Sequence, residues 1–344
     1  MKTIIENHKI PYFDSKQYRT YYEDMKLGVF DIETLGLNPS FCPMILAGFI
    51  AVNGDGSVVL KQHFAETPEE EPLLLAKLAE DFNEVDYVLT YNGKHFDIPF
   101  VEKRSQRCRF ESTMWNIHNL DLYLVLNGHS DLKHQLRNLK QKTVEEYMGL
   151  VKSRDDLISG AESVKLYEEF ISCQDASLKA ELEKKILLHN HDDLLQLYQL
   201  LPVLKKSDIH KAMYSLGFPI KGLKGWPTLN VCKIRISNTS LIIDGKYSGT
   251  GFSYMSYETF GKSYSCRFDN DNTFAFSLNV IKHKGNLFIH LPYFLADYDE
   301  LTKFPNYTDD FIIAVHDGKI NHMEVNSFIK AFFREFMNET SCPI

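Results

Sequence analysis

The first half of the chain alternates apolar and amphipathic stretches in a way that predicts strands joined by helices. Apolar runs at 28–34 (GVFDIET), 44–52 and 57–65 are typical of strands in a buried sheet. The turn NGDG at 53–56 predicts a hairpin between the last two. These runs indicate three consecutive strands.

Helical patterns follow these strands. Residues 67–82 begin with a Thr-Pro pair and acidic residues, which favour a helix start, and continue with helical apolar spacing. Residues 85–93 predict a fourth strand and 96–107 a second helix. A short strand is expected within 118–126, and helices from there to about residue 201. The order predicts an α/β domain.

The pattern changes in the second half of the chain. Residues 202–226 are dense in Pro, Gly and Lys, as in a linker. Apolar residues then alternate with period two, most clearly at 273–281, which predicts antiparallel strands over 227–322. A final helix is expected at 325–337. We therefore predict four segments, namely an N-terminal arm (1–26), an α/β domain (27–204), a linker (205–226) and a β-rich domain (227–344).

Aromatic residues are frequent in the β-rich segment. They could form a platform for stacking bases, but aromatic side chains in strands are more often buried in the sheet core. The residues are Phe252, Tyr254, Tyr257, Phe260, Tyr264 and Phe268.

Composition narrows the class of protein. The 344 residues carry a net charge of −8, which does not suit a protein that coats nucleic acid by charge alone. A nuclease with a carboxylate cluster remains compatible, because bound cations offset such charge. We expect no membrane segment and no signal peptide, and therefore a cytoplasmic protein. None of the six cysteines falls in a C-x-x-C pair, and we expect all six to be reduced.

Two carboxylates interrupt the first apolar run. Asp31 and Glu33 are two residues apart, so a strand directs both side chains to one face. Two acids so close beside apolar neighbours repel each other and resist desolvation. A hard cation such as Mg²⁺ or Mn²⁺ would neutralise them, although a D-x-E pattern alone is more often a strand end that reaches solvent.

Two further segments carry polar residues at positions of interest. In TYNGKHFDIPF (90–100), Asp97 follows the fourth strand and opens a helix, where it could also act as an ordinary cap. In LLHNHDDLLQL (187–197), His189 and Asp193 are i and i+4 on one helix face. This geometry favours Asp193 over Asp192 as the acid that accompanies His189, and both remain candidates.

Taken in order, FDIET, YNGKHFDIPF and HNHDD resemble the three motifs of the DEDD (DnaQ-like) 3′–5′ exonuclease superfamily. The second motif is similar to that of family B DNA polymerase proofreading domains. Residues 139–171 look closer to a bacterial family of stand-alone predicted exonucleases. The resemblance covers about residues 27–201. It implies a ribonuclease-H-like α/β fold with a mixed five-stranded sheet flanked by helices, followed here by the β-rich C-terminal domain.

The resemblance also implies a catalytic set. Asp31, Glu33, Asp97 and Asp193 would hold two divalent cations, Mg²⁺ or Mn²⁺, and His189 would be the general base. The spacing His189-x-x-x-Asp193 matches the subgroup that has tyrosine at the position of the base. The implied partner is DNA or RNA, with no membrane.

Further residues are candidates for contact with this substrate because they lie at a strand end or in a basic stretch. They are Thr34, Tyr91, Asn92, Lys133, Arg137, Lys140 and Arg154.

Two other functions remain open at this point. The fold could serve as a nucleic-acid-binding or docking module without catalysis, although four retained acids argue against it. It could also cut structured nucleic acid internally. The histidine on the last helix and the second motif favour the exonuclease.

Overall fold

The computed structural model describes residues 1–110, 112–150, 160–237, 239–259 and 263–343. The strands are β1 Lys2–Lys9, β2 Leu27–Thr34, β3 Met44–Val52, β4 Ser57–Phe64, β5 Tyr87–Thr90, β6 His118–Asp121, β7 Phe218–Ile220, β8 Leu229–Ser237, β9 Ser240–Tyr247, β10 Tyr254–Ser256, β11 Tyr264–Asp269, β12 Thr273–Asn279, β13 Ile281–His283, β14 Asn286–His290, β15 Tyr307–Thr308, β16 Phe311–His316 and β17 Lys319–Ile320.

The helices are α1 Lys16–Tyr22, α2 Glu71–Phe82, α3 Asp97–Arg107, α4 Leu122–His129, α5 Leu132–Gln135, α6 Gln141–Met148, α7 Gly160–Ser172, α8 Ala176–Gln199, α9 Ile209–Leu216, α10 Asp299–Thr302 and α11 His322–Glu339. Short 3₁₀ turns occur at Pro68–Glu70, Met114–Asn116, Leu201–Lys206 and Leu291–Tyr293.

The chain folds into two compact units. The first comprises Met1–Asp14, Asp24–Trp115 and Asn119–Ser207, and the second comprises Ser15–Glu23, Asn116–His118 and Asp208–Ile344.

The first unit is built on a mixed sheet of order β1-β4-β3-β2-β5-β6. Strands β1, β4, β3 and β2 pair antiparallel, whereas β2 and β5 are parallel. The α/β class and the mixed sheet are confirmed, but the expectation of five strands is wrong because β1 adds a sixth. The sequence of β1, KTIIENHK, lacks a continuous apolar run, so the hydrophobic pattern did not predict this strand. As an edge strand, β1 gains stability from backbone pairing with β4.

Apolar clusters cover both faces of this sheet. On one face Phe82 of α2 packs edge-on against Phe30 of β2, with ring centroids 5.1 Å apart. On the other face, helices α7 and α8 pack against β3 and β4. The buried residues there are Ile45, Leu46, Phe64, Tyr167, Phe170, Leu182 and Ile186. The central strands β2 and β3 are therefore buried on both sides, which explains their almost uninterrupted apolar sequences.

The second unit is β-rich, as the pattern predicts. One antiparallel sheet has the order β10-β11-β12-β9-β8-β7, and a smaller one has the order β13-β14-β16-β15 with β17 beside β16. Helix α11 packs Phe332, Phe333 and Phe336 against Phe276 on β12 of the larger of these two sheets, with ring centroids 4.8–5.7 Å apart.

The candidate stacking residues belong mostly to this core. Phe252, Tyr264 and Phe268 are buried, and Phe252 stacks on Phe268 at 5.3 Å. Tyr254 is half-buried, whereas Tyr257 is 69% exposed. Phe260 lies outside the described residues.

Two segments differ from the predicted organisation. Residues 1–26 do not form one arm, because β1 joins the first sheet and α1 belongs to the second unit. Residues 205–226 are not an extended linker, because they contain α9 and β7. Asp208 caps α9 by accepting a hydrogen bond from the Lys211 backbone N–H. The Pro, Gly and Lys content of this segment obscured a short helical apolar stripe.

None of the helices in the described ranges combines the length and apolar character that a membrane crossing requires. The six cysteines, all within the described residues, form no disulfide bond.

The second unit contains a lysine whose burial makes stability depend on pH. Lys330 on α11 donates a hydrogen bond to the Thr20 carbonyl. Burial, reinforced by Arg334, lowers the pKa of Lys330 to about 8, against a weaker opposing effect of Glu23. Between pH 8 and 10.5 the unfolded chain therefore holds a proton that the folded chain has released. The free energy of unfolding rises with pH across this window, and the cost of the buried charge is fully present below pH 8.

We predict that Lys330→Met raises the free energy of unfolding relative to wild type most at pH 7, and that this difference shrinks toward pH 10.5. Urea unfolding in a Trp115→Phe background reports the second unit alone, because Trp226 is then the remaining tryptophan. The exposed Lys319 provides the control, since Lys319→Met should show no such pH dependence. A pH-independent difference for Lys330→Met would contradict the assignment.

Candidate active site

Strand β2 delivers Asp31 and Glu33 to the sheet face that α8 covers. Asp31 pairs across the strands with Gly48 of β3. A Cβ atom at position 48 would lie 2.1 Å from Asn190 Oδ1 and 2.5 Å from Leu194 Cδ1 of α8. Glycine at this position therefore lets the helix approach the sheet closely, beside the carboxylate of Asp31.

Asn190 occupies the space that Gly48 leaves. It is fully buried, and its Nδ2 donates to Asp31 Oδ2 at 3.0 Å. Its Oδ1 accepts from Gln62 Nε2 at 2.9 Å, and Gln62 Nε2 also donates to the Leu187 carbonyl at 2.8 Å. This relay fixes the orientation of one Asp31 oxygen. Sequence analysis did not single out Asn190 or Gln62, although a polar residue on a buried helix face is a detectable signal.

Helix α3 supplies the third acid. Asp97 is 5% exposed, and its Oδ1 accepts the Ile32 backbone N–H at 3.3 Å, which ties the start of α3 to β2. Burial raises the pKa of Asp97 to about 7, partly offset by this hydrogen bond and increased by Asp121. The acid thus lies next to the strand that bears the D-x-E pair, as the motif order implies.

Helix α8 supplies His189 and Asp193 from adjacent turns. His189 Nε2 lies 3.6 Å from Glu33 Oε1 and 3.7 Å from Asp193 Oδ2. Glu33 and His189 are 6% and 4% exposed. The structure therefore brings Asp193 to the acids of β2. Asp192 instead contacts His191, with 3.0 Å between Asp192 Oδ1 and His191 Nδ1.

Burial and mutual repulsion both oppose ionisation in this cluster, and burial is the larger cause for Asp31, Glu33 and Asp97. Burial raises the pKa of Asp31 well above its usual range, and Asp97, Asp193 and Glu33 raise it further. Burial also raises the pKa of Glu33 to about 7, where His189 acts in the opposite direction. Four acids thus share a confined space in which each resists the ionisation of its neighbours.

The cluster opens into a cleft of about 720 Å³. The lining combines acids, apolar side chains and two lysines. The residues are Asp31, Ile32, Glu33, Thr34, Gly36, Leu37, Phe96, Lys140, Gln141, Lys142, Val164, His189 and Asp193.

Some of the residues predicted to contact the substrate line this cleft, and others lie outside it. Thr34 and Lys140 line the cleft, and the Thr34 hydroxyl donates to the Gly36 carbonyl at 2.9 Å. Tyr91 is not part of the lining, and its hydroxyl donates to the Leu139 carbonyl at 2.6 Å. Asn92 adopts a positive φ of 65° and also lies outside the lining.

The basic candidates lie mostly at the surface. Lys133 is exposed, and Arg137 forms an exposed pair with Glu146 at 3.1 Å. Neither belongs to the cleft lining. Arg154 lies outside the described residues.

Asp121 is a buried acid that sequence analysis missed. It accepts backbone N–H bonds from Asn92 at 2.9 Å and Lys94 at 3.0 Å, and it caps α4 through Leu124. Asp121 thereby holds the loop between β5 and α3, the loop that leads into the helix start where Asp97 lies. Its signal was an acid that ends a short apolar run and precedes an apolar helix.

The donor set fits divalent cations. Carboxylate oxygens are the ligands that Mg²⁺ and Mn²⁺ prefer, and positive charge would relieve the repulsion that raises these pKa values. Glu33, His189 and Asp193 offer ligand atoms within 4.8 Å of one another. The residues present are therefore suited to hold such ions.

Residues 29–205, more than half of the chain, match the model of the RNase_H superfamily. The chain belongs to the RNase_H superfamily. This membership confirms the ribonuclease-H-like fold of the first unit, and it is consistent with the resemblance to the DEDD exonucleases.

Two curated sequences are similar to part of this RNase_H superfamily chain. Over 182 residues it is 31% identical to the uncharacterized protein YprB of Bacillus subtilis (strain 168), covering 52% of this chain and 42% of YprB. Over 138 residues it is 31% identical to a DNA polymerase of Methanocaldococcus jannaschii, covering 36% of this chain and 8% of the polymerase. The chain thus spans less than half the length of these relatives.

Solved structures with partial similarity include the family B DNA polymerase of the archaeon Pyrobaculum calidifontis, with 21% identity and a TM-score of 0.41 over 56% of this chain and 26% of the polymerase. They also include E. coli Exonuclease I in complex with a dT13 oligonucleotide, with 14% identity and a TM-score of 0.31 over 63% of this chain and 54% of that chain.

We predict that Asp31→Asn raises the free energy of unfolding of the metal-free protein at pH 8 by roughly 1–3 kcal/mol, because it removes a carboxyl group whose ionisation the folded state opposes. Added Mn²⁺ should then stabilise wild type more than the variant. Thermal melting with a chelator and with Mn²⁺ measures both effects. The exposed Asp131 gives the control Asp131→Asn, which should change neither. Destabilisation by Asp31→Asn in chelator would contradict this account.

We predict that Asn190→Ala raises the Mn²⁺ concentration for half-maximal thermal stabilisation about 10–100-fold, because Asp31 loses the group that orients it. Asn306→Ala is a matched control, since Asn306 Nδ2 donates to the carboxylate of Glu324 at 2.7 Å in the second unit. That variant should leave the Mn²⁺ midpoint unchanged. Equal midpoints for Asn190→Ala and wild type would show that the relay does not orient the ligand.

Proposed function

We propose that this protein is a metal-dependent 3′–5′ exonuclease that hydrolyses phosphodiester bonds at the ends of single-stranded DNA or RNA. The observation that carries the proposal is that Asp31, Glu33, His189 and Asp193 line one cleft of an RNase_H superfamily fold, with Asp97 directly beside them, hydrogen-bonded to Ile32 of β2. These residues come from three remote segments in the order of the DEDD motifs. The alignment with a DNA polymerase supports nucleic acid as the substrate.

Each acid has a distinct position in this proposal. Asp31, central to the cluster, would hold both divalent cations, Mg²⁺ or Mn²⁺. Glu33 and Asp193, which flank His189, would hold the one beside the attacking water, and Asp97 the other. The bound ions would supply positive charge at the scissile phosphate and acidify the water.

His189 would accept the proton of the attacking water at Nε2. Its imidazole is held between Glu33 and Asp193, which face the same nitrogen at 3.6 and 3.7 Å. These carboxylates favour the protonated imidazole that the transfer produces. Burial of His189 also limits its rotation, so the acceptor nitrogen stays directed at the cluster.

The cleft suits the end of a single strand. Its volume of about 720 Å³ is within the range of small-ligand pockets, which fits one or two nucleotides rather than a duplex. Leu37 is 84% exposed at the rim, where it can contact a base. Lys140 and Lys142, at the start of α6, can contact phosphates.

The test is degradation of strands labelled at the 5′ end by the purified full chain with Mg²⁺ or Mn²⁺. A panel of single- and double-stranded DNA and RNA should reveal products that shorten stepwise from the 3′ end. We predict that Asp31→Ala lowers the rate at least about 100-fold, because the bound ions lose their shared ligand. Asp131→Ala, which removes an exposed acid, should retain the wild-type rate.

The alternatives give different outcomes. Cleavage of a circular single strand would indicate an endonuclease, because an exonuclease cannot start on it. Tight binding of oligonucleotides without products, in wild type and in Asp31→Ala alike, would indicate a binding module. Undiminished activity in Asp31→Ala would refute the assigned site.

A further inference from the structure

A second group of potential metal ligands lies in the first unit, away from the acidic cleft. Glu6 and His8 are two residues apart on edge strand β1, so their side chains project from the same face. His191 projects toward them from α8, and the rings of His8 and His191 are 5.4 Å apart. None of these three residues lines the cleft.

The three side chains direct their outer atoms at one point. His8 Nε2 lies 3.3 Å from Glu6 Oε2, and His191 Nε2 lies 3.5 Å from the same oxygen. All three ligand atoms are within 4.8 Å of one another. Donors around a tetrahedral zinc ion are separated by roughly 3.3–3.5 Å, as Zn–N and Zn–O distances near 2.0–2.1 Å require. Small side-chain rotations would complete the arrangement.

The surroundings orient both imidazoles for such a role. His191 Nδ1 lies 3.0 Å from Oδ1 of Asp192, which is 4% exposed. A carboxylate only accepts, so His191 Nδ1 is the donor to Asp192, and Nε2 is the nitrogen directed at Glu6. This is the carboxylate–histidine–metal arrangement of known sites. The Nε2 atom of His8 is itself buried, with no hydrogen-bond partner among the described residues.

We propose that Glu6, His8 and His191 bind one zinc ion. Two imidazole nitrogens and one carboxylate oxygen favour zinc over Mg²⁺, whereas the cleft, rich in carboxylates, favours the reverse. Three protein ligands leave a fourth position for water. The ion would link edge strand β1 to α8, which also carries His189 and Asp193.

The experiment uses Co²⁺ as a spectroscopic substitute for zinc, titrated into the full chain in excess Mg²⁺ so that the cleft is occupied. Four-coordinate Co²⁺ produces visible absorption, and competition with Zn²⁺ then measures zinc affinity. We expect one equivalent of Co²⁺ per chain. His8→Ala and His191→Ala should weaken zinc binding at least about 100-fold, and Asp192→Asn about 10–100-fold.

Matched variants test whether zinc binds at this site rather than in the cleft or at a surface histidine. They also test whether a loss of zinc affinity reflects a loss of folding. His283→Ala removes an exposed histidine of the second unit and should leave zinc affinity unchanged, as should Asp31→Ala in the cleft. Glu6→Gln keeps the shape of a side chain that is 44% exposed, so its loss of affinity would not reflect misfolding. Absence of Co²⁺ absorption, or absorption that survives His8→Ala and His191→Ala, would overturn the proposal.

Discussion

Helix α8 packs against β2 and β3 where Gly48 leaves room for Asn190, and this close contact determines the geometry of the cleft. It places His189 and Asp193 opposite Glu33 and lets Asn190 bind Asp31. The contact brings like charges together as they lose water, so the folded state opposes the ionisation of its own acids. Divalent cations would resolve this conflict, and the stability of the first unit would then depend on the ions that its proposed chemistry requires.

The apolar layers on both faces of the sheet make this arrangement tolerable. Phe30 and Phe82 pack on one face, while the cluster around Phe64 and Tyr167 joins α7 and α8 to the other. Burial of large side chains contributes about 1.5–3 kcal/mol each, so this packing opposes the cost of confining the acids. Rigid packing also holds each carboxylate in place, which a metal site requires.

Helix α8 carries chemistry on two sides. Positions 189 and 193 are one turn apart and face the cleft, whereas position 191 is rotated by about half a turn and faces β1. Asp192 accordingly belongs to the environment of His191, and Asp193 to the environment of His189. A zinc ion between β1 and α8 would restrain the helix from the side opposite the cleft. The two groups of candidate ligands differ in chemistry, with two imidazoles and one carboxylate on one side and mainly carboxylates on the other.

Local patterns were sufficient to predict the central strands and helix α2, because strand and helix periodicity assign side chains to faces. The set Asp31, Glu33, Asp97 and Asp193 followed from the resemblance of three ordered motifs to one superfamily. The partners of those acids needed the tertiary structure. Asn190, Gln62 and Asp121 act through contacts between segments distant in sequence, and strand β1 is stable only because β4 pairs with it. Periodicity describes one segment at a time, whereas a hydrogen bond or a metal site depends on distances that only packing determines.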